Sequence, residues 1–219
     1  ELVVRPSFTN EYGGAFVLIE PGINGDLEIT EPYFIGARPV TQVEWASVME
    51  NNPSKFNNGW SSGLRPVESV NWLDCQEFIS KLNLAETGLR LGLSGMWRLP
   101  TETEWEYACR AGTTTRWFHS DRDTDLDEVA WHGGNSGATT REVGQKKSNP
   151  WGIYDCHGNV AEWTSNAFDE SAFSYAHDMN SDYHYNASED DHPVLKRKVI
   201  RGGSWKDIAY FIQNSTRTY

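Results

Sequence analysis

From Thr113 to about Lys198 the chain carries no sustained apolar rhythm of either the helical or the strand period; Gly, Asn, Asp and aromatic residues dominate it. A connection that long inside a folded domain needs a function or an internal clamp, because ordering it costs entropy that helices and strands would otherwise repay locally. The fold is therefore expected to be irregular and loop-rich. Aromatic residues make up 13% of the 219 positions, 10 of them Trp, while aliphatic runs are short. Such a core is built from rings whose polar edges need partners. No Pro/Ser-rich linker or composition shift divides residues 1–219, which read as a single domain.

Regular structure is confined to the flanks. Gly14-Ala-Phe-Val-Leu-Ile19 and Pro32-Tyr-Phe-Ile-Gly36 read as short strands bounded by Gly and Pro, and Lys198-Val-Ile-Arg201 as a late central strand. Thr41-Gln-Val-Glu44 is a capping box that predicts a helix through about Met49, ended by Asn51-Asn-Pro-Ser54. A second helix is expected after Ser69, with Trp72, Cys75, Ile79 and Leu82 on one face, Asp74, Glu77 and Lys81 on the other, and Gly88 as its stop. Pro100 and the Thr101/Glu104 box predict a third, on which Trp105 and Cys109 share a face and which Gly112 closes.

Bulk properties exclude several functions. A net charge of −12 repels phosphate backbones and anionic lipid, so nucleic acid is not an expected partner, whereas cationic partners and divalent metals are favoured. No stretch approaches the roughly 20 apolar residues of a membrane span, and Glu1-Leu-Val-Val does not open a signal peptide, which fits a cytosolic protein and a trimmed exported one alike. Cys75, Cys109 and Cys156 form no CxxC pair and read as small buried apolar side chains. Ser204 does not sit in a GxSxG elbow, and no phosphate-binding glycine loop is present. His177, Asp178, Asp182, His184, Asp190, Asp191 and His192 make an acidic, His-containing loop without the spacing that organises zinc, so it reads as solvated.

One segment suits a hard cation. In Asp155-Cys-His-Gly-Asn-Val-Ala-Glu162 two carboxylates flank a Gly-containing turn, which can aim the Asp155 and Glu162 side chains and the Gly158 and Val160 carbonyls at one ion. Oxygen ligands of this kind are what Ca²⁺ prefers. The alternative is that both carboxylates simply accept backbone and Trp N–H bonds.

Six blocks in order carry a resemblance: Val40-Thr-Gln with Trp45, Pro66-Val-Glu-Ser-Val-Asn-Trp72, Arg98-Leu-Pro-Thr-Glu-Thr-Glu-Trp-Glu-Tyr107, Gly144 through Tyr154, His157-Gly-Asn-Val-Ala-Glu-Trp163, and Arg201-Gly-Gly-Ser-Trp205. Over roughly residues 16 to 217 the chain resembles the formylglycine-generating-enzyme (sulfatase-modifying factor) family. The resemblance implies an α+β fold, the family's variant of the C-type-lectin fold, with two main helices, small sheets and extensive irregular loops. It also implies the calcium site at Asp155, Gly158, Val160 and Glu162. The oxidase branch holds Cu(I) on a cysteine pair that would fall near Asp207 and Ile212, where neither side chain can replace a thiolate. Copper is accordingly not expected. The iron-dependent sulfoxide synthases that share the fold have an added His-rich helical domain, absent from this sequence.

Residues 174–219 resemble a narrower group, the gliding-motility and type IX secretion lipoproteins of Bacteroidetes, on Tyr175 through Asn186, Val194 through Asp207 and Thr216 through Tyr219. That resemblance implies an exported protein, periplasmic or associated with the outer membrane, although a cytoplasmic one stays open. A closing Gly-Phe-Arg strand usual in the family is not seen after Tyr219, so the last strand is expected to be missing and its sheet edge open. The expected function is a non-catalytic binding or assembly module with a protein partner. The alternatives are a formylglycine-generating oxidase acting on protein cysteine and a ligand-binding variable protein of lectin type. Candidate contact residues are Phe168, Phe173, Tyr175, Tyr183 and Tyr185 in the aromatic, acidic insertion and, as retroelement-diversified relatives imply, Lys206, Asp207, Tyr210 and Asn214. Packing of the insertion's rings onto the core is the competing reading.

Overall fold

The computed structural model describes residues 4–85, 89–90, 93–168 and 192–219. Strands β1 (Ser7–Thr9), β2 (Ala15–Ile19) and β5 (Tyr33–Gly36) form an antiparallel sheet in the order β1-β2-β5, Val17 facing Ser7 on one side and Ile35 on the other. Between β2 and β5 lies a hairpin of β3 (Gly22–Asn24) and β4 (Leu27–Ile29). Helix α1 (Gln42–Met49) follows, then α2 (Trp72–Ala85), a two-residue pair of β6 (Leu89–Arg90) and β7 (Leu93–Ser94), and α3 (Glu102–Arg110). Strands β8 (Glu162–Ala167) and β9 (Lys198–Arg201) pair antiparallel across the last part of the domain.

Local chemistry explains the helix ends. At α1 and α3 the Thr41 and Thr101 hydroxyls accept from the Glu44 and Glu104 amides, and those glutamates accept in return from the threonine N–H groups. Both helices stop in left-handed residues, Glu50 and Ala111. At the start of α2, Asn71 and Asp74 exchange the same pair of side-chain-to-backbone bonds, so the helix expected after Ser69 begins at Trp72, just after Asn71. With 14 and 9 residues, α2 and α3 are the two main helices, and α1 is the shorter third.

Three apolar clusters hold these parts. β2, β4, β5 and α3 share one with Trp151, Ile153 and Cys156; α1 and α2 share a second, in which Trp45 stacks flat on Phe78 at 4.9 Å; a third joins Trp117, Phe118, Leu126, Val129, Ala130 and Ile212. The region after Thr113, expected to be almost free of regular structure, contains a 3₁₀ turn at Asp123–Glu128 and strand β8. On its far edge β9 meets Thr218, which exchanges two backbone hydrogen bonds with Ile200, so that edge is paired there rather than open.

Candidate functional site

The 155–162 segment is pinned from several sides. Asp155 and Asn159 both adopt left-handed backbone, a conformation that Asp and Asn tolerate because their short side chains bond locally. At Gly158 a Cβ would sit 2.0 Å from the Trp131 carbonyl oxygen, so this approach of two backbones requires glycine. Asn159, fully buried, donates its backbone N–H to the Trp131 carbonyl and accepts from Trp205 N–H through its own carbonyl. Its side chain exchanges hydrogen bonds with the backbone of Arg141. Asn159 was not among the expected site residues; the only hint of its role is its place after glycine in a tight turn.

The turn presents oxygen atoms. Asp155 is 1% exposed, and one of its carboxylate oxygens accepts the Gly144 N–H at 2.7 Å while the other lies 3.4 Å from the Asn159 amide. Burial raises its carboxyl above the usual range despite those donors. Burial also pushes Glu162 up to about 7, against a hydrogen bond from the Trp105 indole and with the Asp155 charge adding to the rise. Among the described residues no N–H donates to the Gly158 or Val160 carbonyl. Two desolvated carboxylates that repel one another, with unclaimed carbonyls between them in sequence, are a donor set a hard cation fits. No group of three His, Cys, Asp or Glu side chains is placed to hold a metal among the described residues, so any ion here would depend on the carbonyls.

The Gly-Gly-Ser-Trp turn lies alongside. Gly158 N–H donates to the Gly202 carbonyl, and a Cβ on Gly203 would fall 2.4 Å from Ile212 Cγ2. Asp207 is spent on the turn itself, its carboxylate accepting from Ser204 N–H at 2.8 Å and from the Ser204 hydroxyl at 2.7 Å. Ile212 is 0% exposed in the cluster around Trp117 and Phe118. Near these two positions the resemblance would put a copper-binding cysteine pair; here Asp207 caps a turn and Ile212 fills the core.

Two sulfurs nevertheless converge elsewhere. Cys109 on α3 and Cys156 in the turn are both buried, the Cys109 thiol lying 3.9 Å from the Cys156 carbonyl oxygen; the neighbouring Cys109 and burial hold the Cys156 thiol well above the ordinary range. The Cys109 thiol donates to Asn214 Oδ1 at 3.2 Å. A thiol held in its protonated form is a poor nucleophile and a poor metal ligand. Both side chains are buried as expected, but the spacing of 109 and 156 gave no sign of their contact.

The proposed contact residues separate. Lys206 is exposed and Tyr210 is 67% exposed, beside Ile208 at 63% and Phe211 at 46%; the last two were not among the expected residues. Asn214 is withdrawn from the surface set. It is 0% exposed, its amide donates to the Thr115 carbonyl at 2.9 Å and its carbonyl accepts from Arg201. Phe168 packs on Tyr219 at 4.7 Å and beneath the Arg217 guanidinium. Phe173, Tyr175, Tyr183 and Tyr185 lie outside the described residues, as do the loop residues from His177 to Asp191.

A family model described as the sulfatase-modifying factor enzyme 1-like domain matches residues 13–219. The chain belongs to that family. A chaperone protein, LppX, of Paenibacillus barcinonensis is 31% identical over 195 residues, covering 69% of this chain and 68% of its own. An inactive C-alpha-formylglycine-generating enzyme 2 of Bos taurus is 27% identical over 69% of this chain and 44% of its own length. Among solved structures, Treponema denticola variable protein 1 superposes with a TM-score of 0.69 at 30% identity, over 99% of this chain and 93% of its own. The α+β architecture of small sheets, helices and long irregular loops is that of the sulfatase-modifying factor family.

Proposed function

We propose that this sulfatase-modifying factor domain is a non-catalytic binding or assembly module that meets a protein partner through the loop after Arg201-Gly-Gly-Ser-Trp205. The observation that carries this reading is the use of Asp207 and Ile212 as a turn cap and a core residue. The names of a chaperone, an inactive enzyme and a variable protein among its relatives support it. The contact surface is the exposed segment of Lys206, Ile208, Tyr210 and Phe211, whose apolar members stand in solvent on, or for Ile208 directly before, a short 3₁₀ turn at Ala209–Ile212. Calcium, held by the Asp155 and Glu162 carboxylates and the Gly158 and Val160 carbonyls, would neutralise the repulsion between two desolvated acids and brace the turn beneath that surface. The cellular reading is an exported protein, and assembly within a gliding or type IX secretion machinery is its finest form, resting on the resemblance of residues 174–219.

The test of the surface is capture of partners from the native host by the wild type and by Ile208→Ser, Tyr210→Ser and Phe211→Ser combined. A partner lost in the triple variant at an unchanged melting temperature supports the proposal. Stoichiometric copper or iron, with an oxidation activity abolished by Cys75→Ser, Cys109→Ser or Cys156→Ser, overturns it in favour of the oxidase reading. For calcium, EDTA is expected to lower the melting temperature of the wild type and to leave Glu162→Ala unmoved; a wild type indifferent to EDTA means the turn closes by hydrogen bonds alone.

A further inference from the structure

Two of the apolar clusters do not fuse. Between the α1–α2 cluster and the cluster of β2, β5 and α3 lies a partly open cavity of about 250 Å³. Protein interiors seldom leave voids much larger than a water molecule. An apolar cavity of roughly 150 Å³ is already enough to stay dry and take up benzene in another protein.

The lining narrows the class of occupant. Its carbon surface comes from Phe16, Ile35, Phe78, Leu82, Trp97 and Trp105. The charged groups on the wall are mostly matched already: Arg38 to Glu44 at 2.8 Å, and Arg98 to Glu104 at 2.6 Å. The Trp163 indole donates to the Val70 carbonyl, and Asn10 Oδ1 accepts from the Tyr12 and Gly14 amides. Cys75, Cys109 and Cys156 add three thiols to the wall. What is left is a lining of rings, aliphatic side chains and sulfur, with Tyr12, Tyr154 and one carboxyl outside those pairs, Glu162. A charged ligand would forfeit its hydration there with little return, whereas a flat apolar ring gains contact on both faces.

We infer that this cavity is a binding site for a small uncharged aromatic or alicyclic molecule, of benzene-to-indole size and carrying at most one hydrogen-bonding group. It spans the helix pair and the Asp155–Glu162 turn, so an occupant would brace one against the other. The inference goes beyond the surface reading and stands or falls separately, since the Ile208, Tyr210 and Phe211 substitutions leave this wall intact.

Indole, the charged indole-3-acetate and tryptamine serve as probes against the wild type, Cys75→Phe and Cys75→Ser. Indole is expected to raise the wild-type melting temperature saturably, with the two charged analogues much weaker. Cys75→Phe, whose ring projects into the void, loses the response, and Cys75→Ser, which keeps the space, retains it. Should Cys75→Phe not fold, amide chemical shifts of the wild type decide: changes confined to residues around Phe78, Trp105 and Ile153 support the site. No saturable response in the wild type, an equal response in folded Cys75→Phe, or shifts mapping to the outer surface overturns it.

Discussion

His157 shows how completely burial decides a side chain's chemistry here. It is fully buried, stacked on Phe118 at 5.2 Å, and accepts the Phe118 N–H at Nε2. Burial drives its pKa down to about 3, neighbouring His119 pushing the same way, with the Ile212 carbonyl only partly opposing. The folded value thus lies below the unfolded one of roughly 6.5. Above that value both states are neutral and nothing is lost; between roughly 6.5 and 3 the unfolded chain takes up a proton that the folded one refuses, so stability falls as pH falls. Wild type is expected to lose up to about 1.4 kcal/mol per pH unit across that window beyond what His157→Phe loses, read from urea midpoints at a series of pH values. The thiols follow the same logic. Burial raises Cys75 to about 12, and the neighbouring Cys109 together with burial raises Cys156 well above the ordinary thiol range, so native protein at pH 8 should react slowly with a chromogenic disulfide, and unfolded protein should release all 3 thiols. A fast-reacting native pair would instead point to redox chemistry.

Among the elements, α3 is the one that fastens the rest. Arg201 of β9, its side chain without solvent exposure, bonds Glu102 at 2.6 Å and also Glu106, while Arg217 bonds Glu102 and Arg110 bonds Glu106 at 2.8 Å. Removing one charge from so buried a set leaves the others unmatched, which typically costs about 3–5 kcal/mol. Arg201→Met is therefore expected to lower stability by that order in denaturant titrations, whereas exposed Lys147→Met, which loses only the surface pair with Glu128, is expected to leave the midpoint essentially unmoved. Helix starts were readable from sequence because a capping box is a local event: Thr41 with Glu44, and Thr101 with Glu104. Strand β8 was not. In Glu-Trp-Thr-Ser-Asn-Ala the inward residues include Thr164 and Asn166, polar side chains satisfied by the Val199 carbonyl and the Glu102 N–H, so no apolar alternation marks the strand.

At the scale of the whole molecule, a net charge of −12 stores repulsion that salt relieves. Raising NaCl from about 10 mM to about 150 mM shortens the screening length from about 30 Å to about 8 Å and is expected to raise the melting temperature. Calcium at matched ionic strength should add a further rise in the wild type and none in Glu162→Ala, which separates a site from simple screening. The blocks that carry the family were legible because their glycines and aromatics sit at close backbone approaches, such as Gly158 against Trp131. The cavity and the approach of Cys109 to the Cys156 carbonyl were not, because each joins residues far apart in sequence. Asn214 misled for a related reason: a polar residue near an exposed segment reads as surface unless its distant partners are known. The guanidinium of Arg201 reaches both Glu102 and the Asn214 carbonyl, clamping the chain just before and just after residues 204–213. Within that bracket the side chains at 206, 208, 210 and 211 are exposed, so replacing them is expected to leave the melting temperature of the bracketing frame unchanged, whatever new surface they present.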